Sequence, residues 1–154
     1  MTAIQQAATR EEIAAVRALF EEYAAWLGVN LDFQGFTKEL DGLPGLYAPP
    51  RGRLLIATID GAPAGCVAVR PLAENVCEMK RLFVRPAFRG QGLGRELAEK
   101  SVTEARAIGY SLMRLDTLPR IKEALQLYES MGFSKCPAYY NTPLAETIFL
   151  ELKL

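Results

Sequence analysis

Half of the 154 residues are hydrophobic, enough to fill one core, and a second domain is not expected. Eighteen basic residues balance eighteen acidic ones, which argues against a general binder of nucleic acid or membrane surfaces, and the absence of histidine removes histidine triads, a histidine general base and the usual zinc sites. Cys66, Cys77 and Cys136 show no metal spacing and are odd in number, so neither a metal nor a disulfide framework is expected; no run has transmembrane length and the first residues do not read as a signal peptide, so the expected location is cytoplasmic.

Residues 2–7 read as a short first strand. Thr9-Arg10-Glu11-Glu12 is a capping-box pattern, and Ile13, Val16, Phe20, Tyr23 and Leu27 follow at helical spacing up to a stop at Gly28. A second short helix is expected from about Phe33 to Leu40, then a loop carrying Gly42, Pro44, Gly45, Pro49 and Pro50. Leu54 to Ile59 is a buried-strand run, Asp60-Gly61 a hairpin turn, and Gly65 to Val69 the returning strand; Val76 to Val84 completes the meander. A helix from about Gly92 to Ile108 ends at Gly109. Leu112 to Leu115 is the next strand, and Pro119 begins a helix with Ile121, Ala124, Leu125 and Tyr128 on one face and Gly132 as its stop. Phe133 to Tyr139 and Thr147 to Leu152 are the last strands, joined by a loop with Asn141 and Pro143.

The segment between the third meander strand and its helix carries the chemistry. Arg89-Gly90-Gln91-Gly92-Leu93-Gly94-Arg95 is a glycine-rich corner opening a helix, where unpaired backbone N–H groups and the positive end of the helix dipole favour a phosphate. From Met79 to Arg95 there are five bases (Lys80, Arg81, Arg85, Arg89, Arg95) and no acid. A P-loop would need Lys-Ser or Lys-Thr after the last glycine, and a dinucleotide fingerprint starting at Gly90 would need glycine where Arg95 stands; both fail. The pattern Arg-x-x-Gly-x-Gly at Arg89–Gly94 resembles the acetyl-CoA signature of the GNAT superfamily of N-acetyltransferases, and the order of elements resembles that superfamily over essentially the whole chain.

The resemblance implies an α/β fold: a mixed, mostly antiparallel central sheet with helices on both faces, splayed between its two central strands. It implies that acetyl-CoA lies in that gap, with pantetheine along Leu82, Phe83 and Val84 and the pyrophosphate on the corner formed by Arg89, Gly90, Gln91, Gly92, Leu93, Gly94 and Arg95. It also implies roles for two titratable groups. Glu78 stands eleven residues before Arg89, the spacing of a catalytic glutamate in the histone-acetylating branch, and is the candidate base; a solvated strand glutamate or a partner for Lys80 or Arg81 is the plain alternative. Tyr128, in Ala124-Leu125-Gln126-Leu127-Tyr128-Glu129-Ser130-Met131-Gly132-Phe133, matches the superfamily's final helix motif and is the candidate acid for the departing thiolate, against a role as a core tyrosine. Ile121 departs from the Asn that often stands seven positions before this tyrosine.

For the acceptor, the candidates are Tyr23, Trp26, Phe33 and Gln34, Arg53, and Tyr139-Tyr140, with Arg53 and Lys80-Arg81 able to bind a carboxylate. Each aromatic is more often packing than ligand wall. The expected activity is acetyl transfer to a primary amine of a small, amino-acid-like molecule by direct attack in a ternary complex, no cysteine being placed as a nucleophile. A homodimer stays open. The rivals are a catalytically silent acyl-CoA-binding module and a nucleotide-cofactor oxidoreductase, the latter suggested by Asp116 at a strand end and opposed by the failed third glycine.

Overall fold

The computed structural model describes residues 1–154. Its strands are β1 (Thr2–Gln6), β2 (Arg53–Ile59), β3 (Ala62–Ala73), β4 (Val76–Val84), β5 (Leu112–Thr117), β6 (Ser134–Lys135) and β7 (Ile148–Lys153). The helices are α1 (Arg10–Leu27), α2 (Phe36–Asp41), α3 (Leu93–Ile108) and α4 (Lys122–Ser130). One seven-stranded sheet runs β1-β2-β3-β4-β5-β7-β6. Every neighbouring pair is antiparallel except β4 and β5.

Strand alternation divides the core in two. Leu55 and Ala57 of β2, Val67 and Val69 of β3, and Cys77 and Met79 of β4 pack with Leu97 and Val102 of α3. Leu54, Ile56, Cys66 and Ala68 point the other way, onto Val16, Leu19 and Phe20 of α1. Helices therefore cover both faces, as expected. The capping box at Thr9 and Glu12 is present, and α1 stops at Gly28 with φ +71°.

Two irregularities in the centre position the site. The first is a bulge in β4. Cys66 pairs with Phe83 and Ala68 with Lys80, so Val67 stands opposite both Arg81 and Leu82. Arg81 takes φ +63°, an uncommon backbone state for a side chain of its size. Its carbonyl accepts from the buried Cys66 thiol at 3.3 Å. The extra residue shifts the alternation. Leu82 and Val84 pack with the α3 core, Phe83 with the α1 core.

The second is a gap. β4 and β5 pair only at Val76–Leu112, Cys77–Met113 and Glu78–Arg114. Beyond that point β4 stays with β3 as far as Val84, while β5 stays with β7 as far as Thr117. One edge of each strand is left without a ladder partner over Met79–Val84 and Leu115–Thr117, the expected splay.

The late strands are shorter than the sequence suggested. Of Phe133 to Tyr139 only Ser134–Lys135 is strand, because Pro137 has no N–H to continue the ladder after Cys136 donates to Phe149. Residues 119–121 form a turn, and α4 begins at Lys122 rather than Pro119. The expected helix over Phe33–Leu40 is split by Gly35, at φ +74°, into a 3-10 turn over Leu31–Gln34 and α2. No helix is long and apolar enough to cross a membrane.

Candidate functional site

A cleft of about 670 Å³ runs through the gap. At one end lies the glycine corner, represented by Arg89, Gly90, Gly92, Leu93 and Gly94; the middle is walled by Lys80–Val84 and Leu115–Leu118. At the other end stand Tyr128 of α4 and Tyr23 of α1, with Gln34 and Tyr140, while Trp26 of α1 lies beside Arg89 at the corner. Gln91 and Arg95 do not line it. Arg95 instead donates to the Ser130 hydroxyl at 2.8 Å and ties α3 to α4.

The corner is built to leave space. Gly90 and Gly92 have φ +82° and +81°, and a Cβ on either would meet nothing within 4 Å. A Cβ on Gly94 would come no closer than 3.9 Å, to Val84 Cγ2. α3 starts on Gly92 with no side-chain cap, so the N–H groups of its first turn lack intrahelical partners at the positive end of the dipole. Two of the five bases are paired to acids. Arg81 is held by Glu39 through two bonds of 3.0 Å, and Arg85 by Glu22 at 2.9 and 2.7 Å. Arg89 remains at the corner, donating to the Val84 carbonyl at 2.8 Å with its guanidinium 5.0 Å from the Trp26 ring centre.

At the far end three titratable groups share the cleft. Tyr128 is 7% exposed, packs edge-on against Phe133, and its hydroxyl has no hydrogen-bond partner in the protein. Burial, then the neighbouring Tyr23 and Asp116, push its pKa well up, so the phenol keeps its proton. Burial pushes Tyr23 up to about 12. Asp116 ends β5. Its Oδ2 accepts from the Tyr140 hydroxyl at 2.6 Å, and Oδ1 has no protein partner. Burial raises this carboxyl above the ordinary aspartate range, against the opposing pull of Tyr140 and Lys80.

Glu78 lies outside this cleft. It is 1% exposed and sits in a side cavity of about 170 Å³. Both its oxygens are engaged, Oε1 by Arg70 at 2.8 Å and Oε2 by the Tyr139 hydroxyl at 2.6 Å. Gln34, Lys80 and Tyr140 line both spaces and form the partition. Glu78→Gln is expected to lower stability by about 1–2 kcal/mol, a few degrees in Tm, because a buried charge-assisted bond to Arg70 is lost. Turnover is expected to change less than about tenfold, a general base being worth more. Thermal melts and steady-state rates on the same preparation check this; a 10²-fold loss of rate at unchanged Tm would return the base to Glu78.

Of the other acceptor candidates, Arg81 reaches the cleft with its charge already paired to Glu39. Phe33 lines the side cavity with Tyr139. Arg53 is not part of either space; it bonds Glu104 of α3 at 2.9 Å and the Gly52 carbonyl at 2.7 Å. Sequence reasoning gave Asp116 no place in acyl transfer. The signal was available: Met113, Leu115 and Thr117 are buried, and alternation sends Asp116 to the face that carries Glu78 and Lys80.

Comparison with known proteins bears on the family and the fold. Residues 13–133 match the model of the acetyltransferase (GNAT) family. An uncharacterised N-acetyltransferase of Schizosaccharomyces pombe is 39% identical over 140 residues, 90% of this chain and 86% of that protein. An acetyltransferase from Streptococcus agalactiae shares the fold with a TM-score of 0.81 at 22% identity, over 99% of this chain and 98% of its own. So does the PaiA N-acetyltransferase of Thermoplasma acidophilum, solved in complex with coenzyme A, with a TM-score of 0.78 at 16% identity over 100% and 99% of the two chains.

Proposed function

The chain belongs to the GNAT family of acetyltransferases and is an acyl-CoA-dependent N-acetyltransferase; from that premise we propose that it acetylates the primary amine of a small molecule by direct attack within a ternary complex, with Asp116 as proton acceptor and Tyr128 as proton donor. The observation that carries the reading is the continuity of one cleft from the glycine corner, through the unpaired gap, to these two side chains.

The residues fit an acyl-CoA. The open space over Gly90, Gly92 and Gly94, beside the free N–H groups of the first turn of α3, suits a pyrophosphate, and Arg89 adds a charge there. The unpaired edge of β4 along Leu82, Phe83 and Val84 suits a pantetheine arm bonded as a strand would be. When bound, acetyl-CoA supplies a thioester with an electrophilic carbonyl carbon and a thiolate leaving group.

The chain's own groups then move the protons. Attack requires an uncharged amine, and Asp116 Oδ1, free of protein partners, accepts the proton that the ammonium gives up. The raised Asp116 pKa makes that transfer less uphill than to an ordinary aspartate. Tyr128 holds a phenolic proton with no other acceptor in the protein and delivers it to the sulfur as the C–S bond breaks, and the second proton that the nitrogen loses in becoming an amide restores the phenol. Glu78 serves behind the partition, fixing Tyr139 and, through the loop it shares, Tyr140 against Asp116.

Coenzyme A at 100-fold excess over a micromolar Kd is expected to stabilise the protein by about 2.7 kcal/mol, readily visible as a rise in Tm. NAD is expected to give no comparable rise. Gly94→Val is the discriminating variant. A Cβ there comes no closer than 3.9 Å to protein and the side chain is aimed at filling the space proposed for the pyrophosphate, so the melting point without ligand is expected to stay near wild type while the shift disappears. Gly92→Val is less clean, because φ +81° strains any side chain. A shift with NAD and none with coenzyme A would overturn the reading.

A further inference from the structure

We propose that the acceptor is a free amino acid, its carboxylate bound by Lys80 and its amine turned toward Asp116. This rests on the acetyl-transfer reading above and narrows it to a substrate class. Lys80 follows Met79 in β4 and precedes the bulge, which sets Lys80 and Arg81 side by side at the cleft. The Lys80 ammonium makes one bond to protein, to Gln34 Oε1 at 3.1 Å, and that oxygen also accepts from Arg81 at 2.9 Å. An ammonium has three donors, so two are left.

None of the seven ion pairs in the protein includes Lys80. The other cations near it are occupied: Arg81 by Glu39 and Arg70 by Glu78. Burial, then the Arg81 charge, pull the Lys80 pKa below its ordinary value against the opposing charges of Glu78 and Asp116, neither of which forms an ion pair with it. A half-buried cation in that condition is costly unless something pairs it, and a ligand carboxylate does so with two oxygens for two free donors.

The opposite charge is placed to receive the other end of the same molecule. Glu78 pairs with Arg114 in the last rung of the β4–β5 ladder, so two residues further on Lys80 and Asp116 stand on opposite sides of the gap. They lie more than 4 Å apart, yet each moves the other's pKa toward its charged form. A separated cation and anion in one cleft, close enough to feel each other and not in contact, match the two ends of a zwitterion. A polyamine or an amine without an acid would leave Lys80 unpaired and repelled.

The test is thiol release from acetyl-CoA with two matched sets of acceptors, the free L-amino acids and their carboxamides, together with simple alkylamines and short peptides. At least one free amino acid is expected to exceed its carboxamide by about 10²-fold in kcat/KM, since the amide cannot pair the ammonium. Lys80→Met should remove most of that preference, chiefly through KM, with a much smaller loss on the carboxamide that reports only the missing charge beside Asp116. Lys80→Arg should restore part of it. The coenzyme A melting shift, measured on each variant, verifies folding and an intact cofactor site. Carboxamides, alkylamines or peptide N-termini used as well as free amino acids would overturn the proposal and leave the acetyltransferase standing. So would an equal loss on both sets in Lys80→Met. Failure of the acetyl-transfer reading looks different: no coenzyme A shift and no thiol released with any amine.

Discussion

Asp116→Asn is expected to lower kcat/KM for the acceptor by about 10²–10³-fold near neutral pH and to leave the coenzyme A melting shift unchanged. The substitution keeps the shape of the side chain and an oxygen that can still accept from Tyr140. What it removes is the proton affinity of Oδ1. The pH profile separates this role from a merely structural one. Burial raises the Asp116 pKa, and the acceptor form is the anion. Wild-type kcat/KM should therefore fall as the pH drops through that raised value, at a higher pH than an ordinary aspartate would give. In Asp116→Asn that acid limb should be missing. The deficit should also narrow at alkaline pH, where solvent has already deprotonated the amine. A variant within threefold of wild type, with its acid limb intact, would sink the assignment and leave Glu78, acting through Tyr139, as the nearest remaining carboxylate.

The sequence gives Asp116 no role in acyl transfer, for a physical reason that applies elsewhere in the molecule. The meander, the Asp60-Gly61 hairpin, the capped first helix and the glycine corner are all written in local chemistry: alternation, caps and turn residues a few positions apart. The glycine-corner half of the cleft, where the acyl-CoA is proposed to lie, comes from one continuous stretch and is legible in the same way. The acceptor half is assembled from distant pieces. The bulge at Arg81 carries no glycine or turn signal, yet it decides which way Lys80, Arg81, Leu82 and Phe83 face. The partners that occupy the bases are far along the chain: Glu39 for Arg81, Glu22 for Arg85 and Glu104 for Arg53. Tyr139 and Tyr140 reach Glu78 and Asp116 only because Pro137 ends β6 and frees the loop to fold back across both strands. Spacing along the chain pointed to Glu78; folding adds a second carboxylate on the same face and puts that one at the cleft.

Tyr128→Phe is expected to lower kcat by at least about tenfold, with coenzyme A affinity within a few-fold of wild type. Few tyrosine variants are so free of side effects. The hydroxyl gives and receives no hydrogen bond within the protein, so its removal orphans nothing, and the ring keeps its edge-on contact with Phe133. Stability should therefore move by about 0.5 kcal/mol or less. A drop in kcat at constant Tm then reports on chemistry rather than on packing. The raised pKa fixes the sign of the pH effect: the phenol remains a donor throughout the neutral range, so Tyr128 should impose no alkaline fall in rate below its own elevated pKa. Leaving-group basicity offers a sharper measurement. A donor matters most when the departing sulfur is basic, so the loss in Tyr128→Phe should shrink with an activated thioester whose thiol is more acidic. Tyr140 is committed to Asp116, and Tyr23, also kept protonated by burial, lines the same end of the cleft, so Tyr23→Phe serves as the control. Equal losses in the two variants, or a Tyr128→Phe deficit indifferent to the leaving group, would assign the hydroxyl to shaping the cleft instead of protonating the thiolate.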